Sequence, residues 1–91
     1  MTDFDPAKDA ANIAKHGVSL SKAFEMDTDL MITFEDRRFA YDEDRWISIA
    51  PLGSGLFVLA HTYRGDRIRP ISLRRAERSE RKLYRESWSD D

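Results

Sequence analysis

Nine of the fifteen basic residues fall between Arg64 and Arg85, and eight of those nine are arginines. They are Arg64, Arg67, Arg69, Arg74, Arg75, Arg78, Arg81, Lys82 and Arg85. Three acids, Asp66, Glu77 and Glu80, share the stretch, leaving +6 locally in a chain of net charge −2. The guanidinium is a planar fork that matches a phosphate, and a local positive field attracts polyanions even when the whole protein is slightly acidic. A solvated, salt-bridged helix accounts for Arg78 to Glu86 but not for the arginines before Ala76. Arg67 and Arg69 share a strand face, and Arg74 and Arg75 leave that strand just before a helix. Arginines on an open sheet face give up rotamer entropy for little return from water, so a covering polyanion explains them better.

Other residues add candidate chemistry. His61 ends an apolar run and offers a group titrating near neutrality; a packed structural role is open for it as well. Lys8, Asn12, Lys15 and His16 recur at i, i+4, i+7 and i+8, which puts them on one helix face able to touch phosphates or a partner. Spacing alone favours a blander role, the solvent side of an amphipathic helix whose apolar side is an alanine stripe. The two histidines have no metal-binding spacing, and the consecutive carboxylates of Asp42-Glu43-Asp44 point different ways. Cysteine is absent, which excludes a disulfide framework, a thiolate metal site and a thiol nucleophile. Gly53-Ser54-Gly55 lacks the frame of a serine nucleophile, and there is no glycine-rich phosphate loop. No metal and no cofactor is expected.

The elements that must position these groups fit one α+β domain over residues 1–91, because a chain of 91 residues builds one modest core. At 41% hydrophobic and 35% charged it reads as globular rather than disordered. The longest apolar run, Leu56 to Ala60, is far short of the roughly 20 residues of a membrane span. The acidic opening has no hydrophobic signal segment, so a cytoplasmic protein with no membrane partner is expected. Asp5 and Pro6 predict a helix start, Ala7, Ala10, Ala11, Ala14 and Val18 its apolar side, and Gly17 its end. Ser19 to Met26 predicts a second helix, with Leu20, Ala23 and Phe24 on one side. Strands follow over Leu30 to Phe34 and Arg45 to Ala50, separated by a charged turn at Glu35 to Arg38. In the second strand Ile47 and Ile49 point inward and Pro51 closes it. Leu56 to Tyr63 suits a central strand covered on both faces. Arg67 to Leu73 is the last strand, and Pro70 demands an edge or a bulge there. Ala76 to Trp88 is a helix with the i,i+4 pairs Glu77–Arg81 and Lys82–Glu86. The expectation is two N-terminal helices, an antiparallel sheet and a C-terminal helix, packed on one sheet face.

Two runs together resemble the BrnT family of toxins. The opening Phe4-Asp5-Pro6-Ala7-Lys8, then Asn12, then Lys15-His16-Gly17-Val18 is one. The closing run Asp66 to Ala76, followed by Glu80 and Tyr84, is the other. Asp29, Tyr41, Glu43 and Arg45 between them sit where the family places similar residues, so the likeness covers Phe4 to about Glu86. The departures are Pro70 in place of an aliphatic residue and Phe4 in place of a tryptophan.

The resemblance implies a RelE-like fold and an endoribonuclease that halts translation. It implies a BrnA-like antitoxin with a ribbon-helix-helix element as partner, through which alone operator DNA is contacted. Lys8, Lys15, His16, Arg69, Arg74 and Glu80 fall on the family's recurrent polar positions. In such a ribonuclease Arg69 and Arg74 stabilise the phosphate transition state, His61 or His16 is the acid–base group, and Glu80 takes part or orients an arginine. Lys8, Lys15, Arg64, Arg67 and Arg75 would bind the RNA. The alternative is a non-catalytic module that binds RNA or a partner and cuts nothing.

Overall fold

A computed structural model describes residues 4–38 and 43–88; Tyr41 and Asp42 lie outside the described residues. Asp5 accepts a hydrogen bond from the Ala7 N–H at 2.8 Å and opens helix α1 (Pro6–His16), which Gly17 closes at φ +74°. The orientation of α1 reverses the amphipathic expectation. Ala7, Ala10, Ala11 and Ala14 are exposed, while Asn12 is 5% exposed. The cause is what α1 packs against, which is the polar outer backbone of an edge strand, where an amide serves better than a methyl group.

The second expected helix is not α-helical. Ser19 caps a 3-10 helix, Leu20–Glu25, and a 3-10 turn, Thr28–Leu30, follows. Leu20, Ala23 and Met26 are buried at a spacing of three, the 3-10 period. Phe24, expected beside them, is 55% exposed and stacks on Phe4.

The chain then forms an antiparallel meander of β1 (Ile32–Asp36), β2 (Arg45–Leu52), β3 (Gly55–Arg64) and β4 (Arg67–Arg75), in that spatial order, before helix α2 (Arg78–Ser87). β1 takes in Glu35 and Asp36, which were expected in the turn. β2 runs past Pro51, whose carbonyl accepts from the Asp27 N–H at 2.9 Å. β3 is interior, as its unbroken apolar run requires, and β4 is an edge.

Side chains alternate along each strand, so the core has two halves. Ala50, Phe57, Leu59 and Leu73 pack with Phe4, Leu20, Ala23 and Met26 on the α1 side. Ile49 and Val58 pack with Ala76 and, from α2, Tyr84 on the other. Helical segments therefore cover both faces rather than one.

Pro70 occupies both of the places expected for it. It lies on the edge strand, beside a bulge where Ala60 pairs with Ser72 and His61 with Pro70, leaving Ile71 extra. Simple alternation would put Arg69 and Arg75 on one face and Arg74 on the other. The extra residue changes that. Arg67, Arg69 and Arg74 now sit opposite Arg64, Thr62 and Val58 on the α2 face, and Arg75 sits opposite Phe57 on the α1 face. Among the described residues no helix is long and apolar enough to cross a membrane.

Candidate active site

Arg74 leaves β4 on the α2 face and meets Glu80 in the first turn of α2. Its two terminal nitrogens donate to the two Glu80 carboxylate oxygens, each at 2.7 Å. The same carboxylate accepts from the Glu77 N–H at 2.8 Å, half of a capping box. The helix start thus fixes the carboxylate, and the carboxylate fixes the guanidinium. This hydrogen-bonded pair holds Glu80 below the usual carboxylate range and raises Arg74 above its ordinary value.

Two clefts meet at Arg74. The first lies between α1 and β4 and is lined by Lys8, Lys15, His16, Ile71, Ser72 and Arg74, with Asn12 beneath them. Asn12 Nδ2 donates to the Leu73 and Val18 carbonyls at 2.9 Å, and its Oδ1 accepts from the Leu73 N–H at 3.0 Å. The second cleft lies on the sheet face, with Phe34, Ile47 and Val58 as its floor and Arg37, Arg38 and Arg74 around it. Arg37 pairs with Glu35 at 2.8 Å, and Arg38 pairs with Asp36 at 2.9 Å. Its volume of about 190 Å³ is below the roughly 300–1,000 Å³ of drug-sized sites.

Of the residues singled out from the sequence, the structure gathers Lys8, Lys15, His16, Arg74 and Glu80. Arg64, Arg67 and Arg69 lie on the same sheet face as Arg74 but farther along it. The β3 partners of Arg69 and Arg74 are Thr62 and Val58, four residues and so about 13 Å apart. Arg64 approaches Glu43 at 4.0 Å.

Two candidates are not brought to this place. His61 is on the α1 face, fully buried, with Nε2 at 2.7 Å from Ser48 Oγ. Burial pushes its pKa below the ordinary histidine value, against a smaller opposing effect of the Thr62 backbone. It is packed in the interior, away from the groove. Arg75 lies over the Phe57 ring at 5.1 Å, in a space that Gly55 leaves open, since a Cβ there would fall 2.7 Å from Arg75 Nη1.

Sequence reasoning missed Phe34, Asp36, Arg37 and Arg38 as site residues because they were assigned to a strand end and a turn. The period-two pattern from Ile32 through Phe34 to Asp36 was the available signal.

Among the described residues no three or more His, Cys, Asp or Glu side chains are grouped to hold a metal ion. No curated protein matches the chain. Residues 4–80 match the family model described as the ribonuclease toxin, BrnT, of type II toxin–antitoxin systems. The matched span includes α1, the whole sheet and the Arg74–Glu80 pair. With residues 4–80 matched, the chain belongs to the BrnT family of ribonuclease toxins of type II toxin–antitoxin systems.

Proposed function

We propose that the chain is a metal-independent endoribonuclease on a RelE-like plan, which cuts RNA by attack of a ribose 2′-hydroxyl and so halts translation. The observation that carries this reading is the convergence of Lys8, Lys15, His16 and Arg74 on one groove. His16 accepts the 2′-hydroxyl proton as O2′ bonds to phosphorus. The P–O5′ bond breaks, and O5′ takes a proton from water, which the proton held by His16 then restores, leaving a 2′,3′-cyclic phosphate and a 5′-hydroxyl. Arg74 has five N–H donors, of which two hold Glu80 and one reaches the Arg75 carbonyl at 3.3 Å. The remaining Nε–H and Nη2–H form the edge that stabilises the charge growing on the phosphate, usually the largest catalytic effect. Lys8 and Lys15 hold flanking phosphates. Arg64, Arg67 and Arg69 hold phosphates along the strand, with Arg69 about 13 Å from Arg74 by strand register. A base beside the cut stacks on Phe34, 40% exposed on the neighbouring cleft floor.

A type II family implies an antitoxin partner. In this reading that antitoxin is BrnA-like, with a ribbon-helix-helix element that alone contacts operator DNA, and it neutralises the toxin by covering the basic face. The test is cleavage of a defined RNA by the purified protein in EDTA. The expected result is cleavage that persists, cyclic-phosphate ends, and no cut where the preceding ribose lacks its 2′-hydroxyl. Cleavage of an all-deoxy strand at a similar rate, or complete dependence on magnesium, overturns the mechanism. Induced expression with and without Arg74→Ala tests translation arrest in cells.

A further inference from the structure

Asn12 lies at the centre of the polar strip of α1. Lys8 is four residues before it, and Lys15 and His16 are three and four after, so all three flank it on one helix face. Its amide joins both outward polar groups of Leu73, the residue next to Arg74, through bonds of 2.9 and 3.0 Å. It also ties down the Val18 carbonyl just past the end of α1 at 2.9 Å. A side-chain amide carries one donor group and one acceptor at peptide-like spacing, so Asn12 stands where a further strand residue would pair with the β4 edge. With Asn12 5% exposed, water cannot replace these bonds without opening the groove.

We infer that Asn12 is a positioning residue for the cleavage reaction, which sets the His16 ring and the Arg74 guanidinium in register across the α1–β4 groove. This rests on the active-site reading above. The two sides of the groove belong to parts of the chain 61 residues apart at Asn12 and Leu73. Lysines clamp phosphates through long, flexible stems and tolerate a small shift of α1. Proton transfer does not, since a displacement of about 1 Å can cost about 100-fold in rate.

The experiment is a double-mutant cycle between Asn12→Ala and His16→Ala, with kcat and KM measured on one RNA at a temperature where circular dichroism shows each variant folded. Asn12→Ala is expected to lower kcat about 10- to 100-fold and to change KM less than about threefold. In the His16→Ala background it is expected to lower kcat less than about threefold further, because residues acting through one step are not additive. If Asn12→Ala does not fold, Asn12→Ser takes its place, since it keeps a small uncharged polar group and is too short to bridge Leu73 and Val18 together. Full activity of a folded Asn12 variant overturns the inference, and so does a loss that multiplies with that of His16→Ala. If His16→Ala alone leaves cleavage unchanged, the active-site reading fails and the inference with it, by a result distinct from the other two.

Discussion

Arg74 spends its end-on fork on Glu80, and in the proposed mechanism its side edge meets the phosphate, so its geometry matters as much as its charge. Arg74→Lys keeps the charge and loses the fork. Both Arg74→Lys and Arg74→Ala are expected to lower kcat by about 10²–10³, the usual cost of removing one transition-state donor. Their effect on RNA binding is expected to be smaller, because the phosphate carries more charge in the transition state. Lys82→Ala, on the exposed side of α2, is expected to cleave at the normal rate; equal losses at Lys82 and Arg74 would mean that general basicity is all that counts. His61 yields a prediction about stability. Its pKa is depressed by burial, so the unfolded chain binds the proton more readily. The associated stability is complete above the ordinary value of about 6.5 and is lost as pH falls below it toward the folded pKa. Thermal unfolding between pH 7 and pH 5 is expected to show Tm falling with acid, and the slope to flatten in His61→Gln. An unchanged slope in that variant would assign the acid sensitivity to other groups.

Which elements form, and in what order, follows from periods and caps visible in the chain: Asp5 and Pro6, Gly17, the apolar run of β3, and Pro70 at an edge. What the elements face does not follow from them. α1 points Asn12 inward because its neighbour is strand backbone, and no hydrophobic pattern encodes that. The faces of the arginines depend on one extra residue at Ile71. A bulge has no reliable local signature, yet it decides that Arg74 rather than Arg75 joins Arg69. The candidates gathered around Arg74 were legible as residue types, whereas the placing of His61 and Arg75 on the other face needed the sheet register. α2 shows the converse limit, a well-formed helix held by little. It has no buried residue; Glu80 and Tyr84 are its half-buried positions, and the Tyr84 hydroxyl donates to the Leu30 carbonyl at 2.6 Å. Few buried contacts mean easy local opening. Native-state hydrogen exchange is expected to be fastest in α2 among the regular elements and slowest in β2 and β3. Tyr84→Phe, removing a bond worth about 0.5–1.5 kcal/mol, is expected to speed exchange in α2 and leave β3 unaffected. Equal acceleration in both would show that α2 unfolds only with the whole domain.

At the scale of the molecule the net charge of −2 conceals a division. The stretch from Arg64 to Arg85 carries +6 and the rest −8. Sheet register and helix placement put Arg64, Arg67, Arg69 and Arg74 on one sheet face, so the division along the sequence becomes a basic surface in space. Under the proposed function, a polyanionic substrate and an inhibitory partner would compete for the same field. An antitoxin with acidic residues aimed at this face gains association rate and specificity more than raw affinity, since complementary charge can raise association from about 10⁵–10⁶ to 10⁸–10⁹ M⁻¹s⁻¹ at low salt. Exposed charges are screened beyond about 8 Å at physiological ionic strength. Raising salt from about 50 to 500 mM is therefore expected to slow toxin–antitoxin association at least tenfold and to change dissociation much less. Stopped-flow mixing of the separated partners measures both rates. Arg67→Glu together with Arg69→Glu should reduce the salt dependence as well as the low-salt rate, because the field itself is weakened. An association rate indifferent to salt would place the antitoxin on another surface, such as the exposed alanine side of α1. In that case inhibition would have to act on the groove from a distance and not by occupying it.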